Sequence, residues 1–224
     1  APGAFAEYVC VSARHTIRLP SGLDPGIGAL VEPLAVGLHA VAVARLRPGA
    51  RVVVLGAGPI GLAILVWALH FGVRHVVVCE PSGGRREMAA RLGASAAVPP
   101  GGEFLTALAR YAPEGPAVVF EAVGAPGLIQ QAVGSVGFRG RVIVAGVCEQ
   151  PDTLLPLVSI LKEASLHFVL AYEKDDFQYA VDMLEQERIH PEPLVTHRIG
   201  LDEVAGSFDA LERPTTESKV MVEP

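Results

Sequence analysis

Cysteine is scarce in this chain of 224 residues: Cys10, Cys79 and Cys148 stand far apart and form no CxxC pair. That excludes a disulfide framework and points to a reducing, cytoplasmic setting. Charge is also sparse, at 19% of residues with a net of −6, and the lysines and arginines gather into no basic face. Nucleic acid is therefore not an expected partner, since phosphate binding needs such a face. No basic stretch followed by an apolar run opens the sequence, so there is no sign of a secretory signal. The histidines show no HxxxH spacing that would mark a metal site. An initiator Met is absent as well: Ala1-Pro2-Gly3-Ala4-Phe5 reads as a turn running into a strand, and a start within a fold is expected.

Half of the residues are hydrophobic, ample for the core of one large domain or one and a half. The stretch Val52 to Leu69 has no charge and is long enough to span a bilayer. Its interior argues otherwise. Three glycines and a proline follow a β-branched run, where a strand would turn into a helix, so no membrane is expected.

That turn is the densest source of information. Val52-Val53-Val54-Leu55 leads into Gly56-Ala57-Gly58-Pro59-Ile60-Gly61, which opens a helical run to Gly72. The glycines hold the GxGxxG positions. Gly56 allows the tight turn, Gly58 lets the backbone approach a pyrophosphate, and Gly61 lets the helix pack closely on the sheet. The phosphates would lie on a helix N-terminus, and Pro59 suits its first turn. A second strand, His75 to Cys79, ends in Glu80, 19 residues past Gly61, where the fingerprint places the carboxylate that binds the adenosine ribose. The pattern predicts an NAD site on a Rossmann doubly wound α/β sheet. Glu80 would repel the 2′-phosphate of NADP; Arg86 leaves a minority case for that cofactor.

The remaining pattern predicts short strands in Gly3 to Leu19 and a helix from Pro25, capped by Asp24, to about Leu46 with a break at Pro33. From Arg51 strands and helices alternate, as in a parallel sheet. Strands are expected at 96–98, 117–120, 142–145 and 166–170, and helices at 85–92, 103–111 and 127–136. The tail reads as a helix at 177–187, a strand at 196–199, a helix at 202–211 and a strand at 219–222.

Several segments together resemble the zinc-dependent medium-chain alcohol and polyol dehydrogenases, the group of sorbitol, threonine and butanediol dehydrogenases. They are Gly3 to Tyr8, Leu30 to Ala40 with its Glu32-Pro33, the glycine turn, Phe120-Glu121-Ala122-Val123-Gly124, and Pro193 to Arg198. The resemblance implies three parts: 1–44 as the later part of a partial GroES-like, β-rich catalytic domain, 45–176 as the Rossmann domain, and 177–224 as a return to the catalytic domain. It further implies hydride transfer between NAD and a secondary alcohol or ketone, with zinc polarising the substrate oxygen. In that family the first zinc ligands are a cysteine and a histidine-glutamate pair earlier in the catalytic domain. They have no counterpart here, so a truncated chain, inactive alone, is expected, and a non-catalytic NAD-binding module is the alternative.

The same resemblance puts Glu32 at the zinc, against a reading as a helix-end carboxylate; the apolar segment around it predicts burial. It sets Arg85 beside the adenosine ribose, against a solvated helix start. Ala145, Gly146 and Val147 after the fifth strand, and Val169, Leu170 and Ala171 after the sixth, would flank the nicotinamide, against ordinary strand-end packing. Polyol dehydrogenases carry an arginine where Ala171 stands, which suggests a less polar alcohol. His39 and His197 read as structural. The sixth strand is apolar and should be a sheet edge, predicting a homo-oligomer, a dimer, joined edge to edge; the alternative has Leu154 to Leu161 folding back to cover it.

Overall fold

The computed structural model describes residues 3–211 and 217–224. Runs of valine set its strands. Arg51–Leu55 (β1) and His75–Cys79 (β2) each carry three consecutive valines and are buried from the second residue onward, as parallel strands covered on both faces are. Ala96–Val98 (β3), Val118–Glu121 (β4), Arg141–Val144 (β5) and Ser165–Phe168 (β6) complete a six-stranded parallel sheet of order β3-β2-β1-β4-β5-β6. This is the expected doubly wound sheet. Its order reverses between β1 and β4, the switch point at whose carboxyl ends such sheets bind ligands.

Helices cover both faces. Pro25–Gly28 (α1) and Val31–Ala44 (α2) precede the sheet, and Pro59–His70 (α3), Gly83–Arg91 (α4), Gly102–Tyr111 (α5) and Leu128–Ser135 (α6) follow successive strands. Pro156–Lys162 (α7) precedes β6, and Lys174–Glu185 (α8) follows it. The core on one face joins α2, α3 and α8 to the sheet, and a second core joins α5 and α6 to the other face. Trp67 anchors the first: it is fully buried, and its indole N–H donates to the Leu34 carbonyl oxygen at 2.7 Å, so the ring is packed without an unmet donor. Val195–Ile199 (β7), Val204–Leu211 (α9) and Lys219–Val222 (β8) end the described chain, β7 and β8 forming a parallel pair.

Three expectations need correction. Gly3 to Leu19 holds no strand, only a 3₁₀ turn at Ala13–His15, and Phe5, Tyr8, Val9 and Val11 are exposed; a strand needs a ladder partner, and no described segment pairs with this one. Ala1 and Pro2 of the expected opening turn lie outside the described residues. The break between α1 and α2 falls at Ala29-Leu30, and Pro33 sits inside the first turn of α2, where no intrahelical N–H is required of it. Glu32 is exposed on that turn rather than buried. The segment before β6 forms α7 with none of its residues buried, and Phe168 of β6 is 69% exposed, which goes against the alternative of a covered edge.

Candidate functional site

The glycine turn leaves β1 at the switch point. Gly56 has φ +94°, a left-handed conformation that side chains resist, and a Cβ there would meet Val123 Cγ2 at 2.6 Å. At Gly61 a Cβ would strike the carbonyl oxygen of Gly56, so the helix can approach the turn this closely only with hydrogen in that place. Gly58 differs: it is extended, caps α3 with no side-chain hydrogen bond, and has nothing within 4 Å of a Cβ position. The fold itself does not require glycine there. The space above Gly58, facing the amide end of α3, is what a pyrophosphate would fill.

Glu80, 5% exposed, ties the end of β2 to this turn. Its Oε2 accepts the Ala57 N–H at 2.8 Å and its Oε1 the Ser82 N–H at 2.8 Å. The carboxylate is thus fixed on the turn with lone pairs left for ribose hydroxyls. Arg86 rather than Arg85 stays with it: Arg86 donates to the carbonyl oxygens of Glu80 and Pro81, whereas Arg85 Nε donates to the Glu217 carbonyl oxygen at 3.1 Å. Beside Glu80, burial first and the carboxylate charge second push the Cys79 thiol up to about 11. It is a packed, neutral group rather than a nucleophile.

Glu121 is a site residue to which sequence reasoning gave no role. It ends β4 next to β1 and is 1% exposed, and its Oε1 accepts the N–H groups of Val123 and Gly124 at 2.7 and 2.9 Å. Its backbone oxygen accepts the N–H groups of Ala145 and Gly146. One residue therefore shapes the loops after both β4 and β5. The available signal was an acid closing an apolar strand before a glycine. Ala145 and Gly146 are half-buried and Val147 is exposed on this rim. After β6, Val169 bonds back to Val144, Leu170 is 84% exposed, and Ala171 adopts a left-handed φ of +53°.

No group of three or more His, Cys, Asp or Glu able to hold a metal occurs among the described residues. Glu32 has no such neighbours. His39 Nδ1 lies 3.0 Å from Asp176 Oδ2, and His197 Nδ1 lies 2.7 Å from Glu217 Oε2, each an ion-pair arrangement rather than a ligand set.

Comparison with known proteins agrees with this geometry. The sequence profile of the family described as zinc-binding dehydrogenase matches residues 59–186. A 2-dehydro-3-deoxy-L-galactonate 5-dehydrogenase of Pseudoalteromonas atlantica is 33% identical over 99% of the chain and 65% of its own length. Among solved structures, an alcohol dehydrogenase from E. coli CFT073 in complex with NADH has a TM-score of 0.90 at 25% identity, over 98% of this chain and 66% of that one. A protein of Sinorhizobium meliloti 1021 described as a zinc-binding dehydrogenase and bound to NADP gives 0.90 at 30% identity, over 99% and 66%. The chain spans just under two thirds of the length of each of these relatives.

Proposed function

The chain belongs to the zinc-binding dehydrogenase family, and we propose that it binds NAD on the glycine turn and serves hydride transfer between that cofactor and a secondary alcohol or ketone. The observation that carries this is the pairing of open space at Gly58 with a buried Glu80 bonded to the same turn. When bound, NAD supplies the hydride chemistry; the residues of this chain hold and orient it. The amide end of α3 and Gly58 receive the pyrophosphate, Glu80 accepts from the adenosine ribose, and the rim 145–147 and 169–171 bounds the nicotinamide end. One solved relative carries NADH and another NADP, so the choice falls to Glu80: a 2′-phosphate would meet a carboxylate already fixed in place, which favours NAD.

Zinc does not fit the described residues as they stand. A catalytic zinc takes three protein ligands, and Glu32, exposed on the first turn of α2, is one candidate with no ligand group around it among the described residues. The parts 1–44, 45–176 and 177–224 are proposed as catalytic, cofactor-binding and returning segments. Ala171, in place of the arginine of polyol dehydrogenases, favours a less polar alcohol. Three free thiols suit a cytoplasmic location. A dimer is proposed through β6, whose Phe168 is exposed, as are Leu157, Ile160 and Leu161 of α7.

The purified 224-residue chain supplied with zinc, NAD and secondary alcohols is expected to form no NADH. Zinc-dependent NADH formation by this chain alone would show that its own residues complete the metal site.

A further inference from the structure

At the opposite end of the sheet from the glycine turn, a cavity of about 520 Å³ opens between the last turn of α2 and the first residues of β5 and β6. The fold gathers its lining by register. Arg141 opens β5 opposite Ser165 of β6, and His167 lies two residues further along the same strand, so these side chains share the face that α2 covers. Arg45, in a left-handed conformation that ends α2, closes the cavity from the helix side.

Its polar lining is Arg45, Arg141, His39, His167 and Ser165, with no carboxylate. Some arginines of this acidic chain are ion-paired, Arg51 with Glu114, Arg139 with Glu163, and Arg198 with Asp24 and Glu223. At the cavity, Arg45 has no ion-pair partner among the described residues. Arg141 reaches the Arg45 carbonyl oxygen with one terminal nitrogen at 3.4 Å, and its Nε is buried with no acceptor. A buried donor left unmet is costly, and native structures rarely leave one. Asp176, bonded to His39 Nδ1 and to the Glu173 N–H, is not among the lining residues.

We propose that this cavity binds a small phosphate-bearing anion, at a site separate from the dinucleotide. Two guanidiniums, two imidazoles and a hydroxyl offer more donors than the two oxygens of a carboxylate accept, whereas a phosphate presents three oxygens in the geometry guanidinium forks match. The volume exceeds what inorganic phosphate needs, so the ligand carries an organic part. Four residues of β5, roughly 13 Å, separate this cavity from the carboxyl ends where the cofactor phosphates would lie.

Inorganic phosphate titrated calorimetrically into the full 224-residue chain, with and without NAD and at constant ionic strength in chloride, tests the site. One phosphate per chain is expected to bind equally in both conditions. Arg45→Asn keeps the left-handed backbone that Asn tolerates and should weaken phosphate roughly tenfold or more while leaving NAD binding unchanged; Arg141→Met should do the same. If Arg141→Met does not fold, Arg45→Asn decides alone. The proposal is overturned if wild type takes up no phosphate, if NAD displaces it, or if Arg45→Asn binds it undiminished. It is equally overturned if that variant loses self-association together with phosphate, since the cations would then serve an interface.

Discussion

Gly58 and Gly61 stand three residues apart in one turn and answer to different demands. A Cβ at Gly61 has a backbone oxygen in its place, so Gly61→Ala should lower stability by about 1–3 kcal/mol, read as a reduced urea midpoint. A Cβ at Gly58 has open space, so Gly58→Ala should keep stability within about 0.5 kcal/mol yet weaken NAD roughly tenfold or more, because the methyl occupies the pyrophosphate's space. Equal binding by Gly58→Ala and wild type would place the cofactor elsewhere. Cys79 gives a second residue-scale outcome. Its folded pKa, about 11, lies above the reference value of 9.0. While both states are neutral nothing changes; as pH rises past 9.0 the unfolded thiol ionises and the folded one does not, so stability declines up to about pH 11. The urea midpoint should fall between pH 8 and 10 in wild type, and less in Cys79→Ala. Cys10 should react with thiol reagents in the folded protein and Cys79 only after denaturation.

Elements were legible wherever local chemistry decided them. Three valines in a row, a glycine turn and an acid at the right distance identify β1, α3 and β2 without reference to the rest of the chain. What depended on partners was less so. Gly3 to Leu19 has strand-like residues but no ladder, and the apolar surroundings of Glu32 said nothing about which way its own side chain faces. Glu121 was hidden for the same reason: its role comes from loops that only folding brings against it. The α7 helix shows the point most plainly. Leu157, Ile160 and Leu161 sit at helical spacing, as if facing a core, yet all three are exposed. Their exposure, and that of Phe168 on the edge strand, suits contact with a second copy. Light scattering across a dilution series should find a dimer for wild type and a monomer for Phe168→Lys. A wild type that is monomeric at all concentrations would refute the edge-to-edge contact.

For the molecule as a whole, the sheet and its switch point gather two buried carboxylates, Glu80 and Glu121, one uncapped helix end and three strand-end loops at one end of the sheet. On the proposed reading Glu80 selects the cofactor, because a carboxylate fixed there would suit a ribose with free hydroxyls and oppose one bearing a phosphate. The most direct measurement is calorimetric titration of the purified 224-residue chain with NAD and, separately, with NADP. The expected result is one NAD per chain, bound more tightly than NADP, with that preference shrinking in Glu80→Ala. Tighter binding of NADP, or no binding of either cofactor by the folded chain, would contradict the account.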